Sequence, residues 1–351
     1  LPMSRSVAPV STCTAASSGN ASLAASTSVQ AQNVTLRFSN WLPPTHPMVT
    51  EMLNPWAKDV EQATEGRVKI QVLPPLGTPA SHYDLVRNGV ADMTIGVHSY
   101  TPERFKLTEM VELPMTAENA QVNSLAYWRT YQKYFMGKNE HAGTKLLGAW
   151  VPGSYQLWTA AKVDSLDKLD GTKIRIPGVL VERIAKLLGL VSISSTLTEA
   201  YDQISRGIID GMFQNYTTVI DFNLARFMPN LFVLPGGFSA SSQFMVVNER
   251  SWQRISEADR AAIDALSGEA LVKRFSGIWQ KNNMAAFDRL SAEGIKVHRI
   301  EGEQLEAMKT KLAVIEQQWL SEAKGVEAQE ALNFYRAELD RVAAELGVPK
   351  D

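Results

Sequence analysis

One stretch restricts the possible folds more than any other: Leu169-Asp170-Gly171-Thr172-Lys173-Ile174-Arg175-Ile176-Pro177-Gly178. Asp170-Gly171 reads as a turn, Lys173 to Ile176 as a short strand, and Pro177-Gly178 as the end of pairing, because proline cannot donate to a ladder. Strand side chains alternate, so Ile174 and Ile176 share one face while Lys173 and Arg175 share the other. Arg175 is thus carried into a core by its two isoleucine neighbours. A guanidinium cannot be desolvated alone, and its planar fork fits a carboxylate in two parallel hydrogen bonds. An acid is therefore expected near the carboxyl end of this strand. It can belong to the protein, as a salt-bridge partner, or to a ligand.

Around this stretch the chain alternates strand and helix. Val34 to Ser39 alternates as a strand and breaks into the loop Asn40-Trp41-Leu42-Pro43-Pro44-Thr45-His46-Pro47. A helix follows from about Met48 to Gln62, then a strand from Arg67 to Leu73, a Pro-Pro-Leu-Gly loop, and a helix from about Ala80 to Arg87. This β-α-β-α order predicts a sheet covered by helices on both faces. At 351 residues two lobes are expected. The 35 basic and 37 acidic residues are spread along the chain, so no footprint for nucleic acid or an anionic membrane emerges, and small molecules or proteins are the expected partners. No uninterrupted apolar run approaches the roughly 20 residues that span a bilayer, and no membrane insertion is expected.

Residues 1–33 are rich in Ser, Ala and Thr, which predicts a leader or a disordered tail. Ser28 to Gln32 resembles the small-residue end of a signal peptide, although the apolar middle is missing. The single cysteine, Cys13, lies in this segment and builds neither a disulfide framework nor a zinc site.

Two stretches repeat each other. Leu85 to Met93 and Ile204 to Met212 both read as helix end, glycine stop, and short apolar strand with an Asp inside it. Two similarly wired lobes facing each other across a cleft are expected. Thr144 to Trp150 is an apolar run that breaks at Val151-Pro152-Gly153-Ser154 and resumes at Tyr155, which suits a crossing between lobes. A helix from about Val179 to Leu188 places Leu180, Ile184, Leu187 and Leu188 on one face. Ser242 to Asn248 is the expected second crossing. From Ser256 onward the chain reads as helix with one strand at Gly294 to Ile300.

These residues carry a resemblance. Ala149-Trp150 through Tyr155, Gly171 to Pro177, Gly207-Ile208-Ile209-Asp210-Gly211 and Val246-Val247-Asn248 stand in the order and spacing of the substrate-binding proteins of tripartite ATP-independent periplasmic (TRAP) transporters, the DctP-like family. Ser39 to Pro47 and Met110-Val111-Glu112-Leu113-Pro114 fit as well. The resemblance spans residues 34 to 340. It implies an α/β, two-lobed periplasmic-binding-protein-like fold of type II, with a hinge of crossing strands and a long back helix. The expected lobes are 34–153 with 243–282, and 154–242 with 283–351.

The resemblance also implies a periplasmic receptor, a monomer, that binds an organic acid and delivers it to the TRAP membrane subunits. The acid's carboxylate would pair with Arg175. Tyr155 stands where sialic-acid binders of the family have a second arginine, and Gln214 with Asn215 stands where the family often has Asn. The site then holds one strong cation among the aromatic residues Trp41, Tyr155, Phe213, Tyr216 and Phe238, which points to a monocarboxylate with an apolar or aromatic body. Gln156 and His98 complete the candidate set. No cofactor and no metal is expected. His82 with Asp84, and His98 with Glu103, are the nearest approach to metal pairs. Phosphate-loop, dinucleotide, zinc-protease and serine-hydrolase motifs are absent, and nothing supplies a nucleophile with a base. A ligand-sensing domain for a signalling partner and a small-molecule enzyme using the same cleft stand as alternatives to the receptor.

Overall fold

The structure is a computed structural model and describes residues 2–4, 6–9, 33–161 and 163–350. The leader or tail expected over 1–33 lies mostly outside the described residues. In chain order the strands are β1 (Val34–Ser39), β2 (Val68–Leu73), β3 (Met93–Val97), β4 (Thr144–Trp150), β5 (Ser154–Thr159), β6 (Lys173–Ile176), β7 (Val191–Ser194), β8 (Gly211–Gln214), β9 (Asn230–Val233), β10 (Ser239–Ala240), β11 (Gln243–Asn248) and β12 (Lys296–Arg299). They form two sheets. One has the order β2-β1-β3-β11-β4, the other β12-β9-β5-β8-β6-β7 with β10 paired to β5. The chain passes from the first sheet to the second between β4 and β5, across Val151 to Gly153, and returns between β10 and β11. The second crossing therefore falls just ahead of the strand expected to make it.

The two repeated stretches form the same local structure. Gly89 and Gly207 end their helices at φ of 80° and 68°, a region open to glycine without a Cβ clash. Each strand begins just after its aspartate instead of enclosing it, because both carboxylates bond to the neighbouring strand. Asp92 Oδ2 accepts from the Arg37 amide and Nε, both at 2.9 Å, and Asp210 Oδ2 accepts from the Lys173 amide at 3.2 Å. These bonds lock β3 beside β1 and β8 beside β6.

In the second sheet the register pairs Trp158 with Met212 and Met212 with Arg175, while Leu157 pairs with Phe213. Paired residues share a face, so Arg175 stands on the side of Met212 and Trp158, and Ile174 and Ile176 stand on the other. The two faces feed separate cores. Ile174, Ile176, Leu157, Phe213 and Phe238 join the core that continues into the first sheet. Trp158, Met212, Leu197 and Val219 form the second.

Gly211 sits where β5 and β8 run closest. A Cβ there would lie 2.2 Å from the Trp158 carbonyl oxygen and 3.1 Å from Thr159 Cα, both main-chain atoms that cannot swing aside. Gly211→Ala is expected to lower unfolding stability by about 3 kcal/mol in a urea titration. Gly137→Ala, where nothing lies within 4 Å, should change it by about 0.5 kcal/mol at most.

The helix Gly268–Ala292 runs along both cores. Leu271, Val272, Phe275 and Trp279 pack in the first and Leu290 in the second. Between them Asn283 donates from Nδ2 to the Pro152 carbonyl at 2.6 Å and accepts at Oδ1 from the Thr217 hydroxyl at 2.8 Å. It thus ties the first crossing to the helix Tyr216–Asp221. The last helix, Ala328–Leu346, packs on Ala120–Thr130: the Tyr335 hydroxyl donates to Asn123, and Arg129 pairs with Glu338 at 3.4 Å and Glu345 at 3.0 Å.

Candidate functional site

Arg175 is fully buried. Its Nε donates to the Ser195 carbonyl at 2.9 Å and its Nη2 to the Tyr100 hydroxyl at 3.5 Å, while Nη1 has no partner. Among the described residues no carboxylate pairs with it. A guanidinium held this way has every reason to seek an anion, since an unpaired buried charge is far costlier than a paired one.

The residues that reach it come from both sheets. Tyr100 closes the short turn His98–Tyr100 after β3, and its hydroxyl also accepts from the Leu197 amide at 3.0 Å, at the start of the helix Leu197–Ser205. Trp41 lies edge-on to Tyr100 with ring centroids 6.2 Å apart, held by an Nε1 hydrogen bond to the Ile95 carbonyl at 3.0 Å. Ser99 meets Gly178, just beyond β6: a Cβ on that glycine would be 2.7 Å from Ser99 Cβ. Burial pushes the Tyr155 phenol up from its ordinary value, while the Arg175 charge and the Ser241 hydroxyl pull it back. Phe213 and Phe238 pack ring to ring at 5.5 Å, and the Phe238 amide donates to the Tyr155 carbonyl at 2.9 Å.

The structure therefore brings Tyr100, and through it Trp41, to Arg175, with Tyr155 in reach of its charge, while Phe213 and Phe238 pack in the core on the other face of the sheet and the remaining candidates are engaged elsewhere. The Gln156 side chain imitates a strand partner, accepting from the Leu234 amide at 2.9 Å and donating to its carbonyl at 3.1 Å. Tyr216 packs against Trp158 and Phe287 and lines a cavity of about 380 Å³ with Glu118, Asp288 and Arg299; Arg175 is not in its wall. Gln214 bonds the Asn215 amide, and Asn215 caps its helix through the Thr218 amide.

His98 is held inside the first core. Its Nδ1 bonds Ser242 Oγ at 2.7 Å and its Nε2 meets His141 Nε2 at 3.0 Å, while His141 Nδ1 meets the Tyr131 hydroxyl at 2.7 Å. Burial pushes His98 well below its ordinary value and His141 to about 3, so the pair stays neutral, one ring donating to the other. His98 thus has no nitrogen left for Glu103, and His82 uses Nδ1 on the Thr78 carbonyl at 2.8 Å. Among the described residues no group of three or more His, Cys, Asp or Glu is placed to hold a metal ion.

Nothing in the sequence marks Tyr100 as the neighbour of Arg175, Ser99 as that of Gly178, or Glu112 as a group close to Ser99. Glu112 is almost fully buried, and its main-chain oxygen accepts from Ser239 Oγ at 2.6 Å. The signal that marks residues 98–100 is positional: they follow a wholly buried strand, where sheets of this kind present their binding loops.

Comparison with known proteins agrees with this architecture. Residues 38–322 match the family described as bacterial extracellular solute-binding protein, family 7, DctP. A curated relative from Comamonas testosteroni, named outer membrane transporter protein TsaT, is 33% identical over 319 residues, covering 88% of this chain and 93% of that protein. A TRAP periplasmic solute-binding protein from Bordetella bronchiseptica, solved with bound (R)- and (S)-mandelate, superposes with a TM-score of 0.84 at 33% identity, covering 88% of this chain and 99% of that one. A TRAP solute-binding protein from Rhodoferax ferrireducens, solved with copurified benzoate, superposes with a TM-score of 0.83 at 24% identity, covering 89% and 99%.

Proposed function

Because this chain belongs to the bacterial extracellular solute-binding proteins of family 7, the DctP family, we propose that the solute it captures is an aromatic monocarboxylate whose carboxylate rests on Arg175. The protein is a periplasmic receptor of a TRAP transporter, not an enzyme. It binds an organic acid and works with the TRAP membrane subunits. Among the described residues no helix is long and apolar enough to cross a membrane.

The observation that carries the proposal is the fully buried guanidinium whose Nη1 has no partner. Tyr100, with Trp41 edge-on to it, and Tyr155 supply aromatic surface near it, on which a ring can pack while excluding water from the ion pair. The mandelate bound by the Bordetella bronchiseptica protein, 33% identical, supports an acid of this size and kind. Gln156, Gln214, Asn215, Tyr216 and His98 fall outside this set, since their side chains are engaged elsewhere.

Two lobes are proposed to close on the acid as a monomer. One is 34–153 with 243–282 and the other 154–242 with 283–327, the last helix riding on the first lobe because it packs on Ala120–Thr130. Isothermal calorimetry with mandelate and benzoate tests the ligand class. Acid at about a hundred times its dissociation constant should also raise unfolding stability by about 2.7 kcal/mol, read as a melting shift. Stabilisation by dicarboxylates and sugar acids, with none by aromatic monocarboxylates, would refute the proposal.

A further inference from the structure

Arg175 Nη1 is not the only buried polar atom left over where the two sheets meet. Ser99 Oγ is buried and completes no hydrogen bond either. The two residues are brought together by the same turn: Ser99 packs on Gly178, and the adjacent Tyr100 reaches the guanidinium. Behind Ser99 stands Glu112, 1% exposed and without an ion pair among the described residues. Its carboxyl lies near the Ser99 hydroxyl and the Ser242 amide, and Tyr155 is close enough to feel both Glu112 and Arg175. The leftover polarity is therefore of two kinds, a cation reached by Tyr100 and, at the preceding residue of the same turn, a hydroxyl backed by an acid.

We propose that Ser99 and Glu112 form a neutral hydrogen-bonding subsite beside Arg175 that takes a hydroxyl carried by the bound acid, so that the receptor selects hydroxylated monocarboxylates over their deoxy counterparts. This rests on the reading of the ligand as an aromatic monocarboxylate. Burial, with Glu109 nearby, pushes the Glu112 carboxyl well above the carboxylate range, and Glu109 itself is pushed up to about 7. A protonated carboxyl offers one donor and one acceptor, as does a hydroxyl, so a ligand hydroxyl can complete the chain from Ser99 to Glu112. A methylene in the same place leaves those groups unpaired, which is the arrangement that discriminates most sharply between close analogues.

The test is calorimetry of (R)-mandelate, (S)-mandelate and phenylacetate on the wild type and on Ser99→Ala, Glu112→Leu and Glu112→Gln. The wild type should prefer at least one mandelate enantiomer over phenylacetate by about tenfold or more. Ser99→Ala and Glu112→Leu should bring that ratio toward one by weakening mandelate alone, and Glu112→Gln, which keeps a donor and an acceptor, should preserve most of it. Ser99→Ala removes one oxygen and keeps the readout should Glu112→Leu fail to fold. A wild type with no preference, or a ratio unchanged in Ser99→Ala and Glu112→Leu, overturns the subsite. Failure of the wild type to bind any of the three acids overturns the ligand reading itself, and the subsite falls with it.

Discussion

Arg175→Met should abolish capture of the acid and, with no ligand present, shift the lobes toward the closed arrangement. The guanidinium is completely buried, with only the Ser195 carbonyl and the Tyr100 hydroxyl as partners, and since these stand on different proposed lobes, closing them would bury it in this way. An unpaired buried cation opposes that state until a carboxylate neutralises it, so the charge holds the empty receptor open and the ligand releases it. Methionine fills much of the same space without the charge, which removes both the attraction for the acid and the penalty on closing. Small-angle scattering of ligand-free Arg175→Met should give a smaller radius of gyration than the ligand-free wild type, while calorimetry detects no binding. Arg175→Lys keeps the charge but not the fork, and affinity should fall by about 2 kcal/mol, roughly thirtyfold. An Arg175→Met protein as open as the wild type would refute charge-controlled closure; undiminished affinity in either variant would refute the role of Arg175.

Gly178→Ala is expected to weaken ligand binding by tenfold or more while leaving each lobe folded. The residue has φ of −168°, extended backbone that any amino acid adopts, so no local strain requires glycine. What requires it lies across the cleft: the added Cβ would sit 2.7 Å from Ser99 Cβ and 3.0 Å from the Ser99 carbonyl oxygen. With Ser99 in one proposed lobe and Gly178 in the other, that overlap would arise only on closing. The variant should therefore lose affinity chiefly through faster release, with melting of the free protein changed by no more than the modest effect of alanine at a helix N-cap. Stopped-flow dissociation and a thermal melt separate the two. A large fall in melting temperature, or an unchanged release rate, would show that this contact does not govern closure.

The main architecture was legible because its signals are local. β1, β2 and the strand around Arg175 follow from alternation, and β4 with the crossing at Val151 to Gly153 from an apolar run broken by Pro-Gly. The same alternation rule carries further than it was taken: Tyr155 and Gln156 are neighbours on a strand and so face opposite ways, as do Phe213 and Gln214. Half of the candidate residues on β5 and β8 had to point away from the other half. Tyr100 and Ser99 escaped notice because their nearness to Arg175 and Gly178 depends on the approach of two sheets some 75 residues apart in the chain, which no periodicity records. The short strand Ser239–Ala240 was missed for a related reason. Two residues carry no pattern of their own, and only pairing with β5 makes them a strand.

The threading of the two sheets bears on how a protein destined for the periplasm stays deliverable before it gets there. β11 lies between β3 and β4, antiparallel to both, so the first sheet has a gap through its middle until residues 243–248 have been made. The helix that ties the first crossing to Tyr216–Asp221 comes later still, at Gly268–Ala292. Neither core can close on an N-terminal fragment, and the contacts needed join distant parts of the chain, which slows folding. A nascent polypeptide of this topology would remain pliable while it is threaded through a translocation pore, and would gain its compact form only when nearly all of it has emerged on the far side.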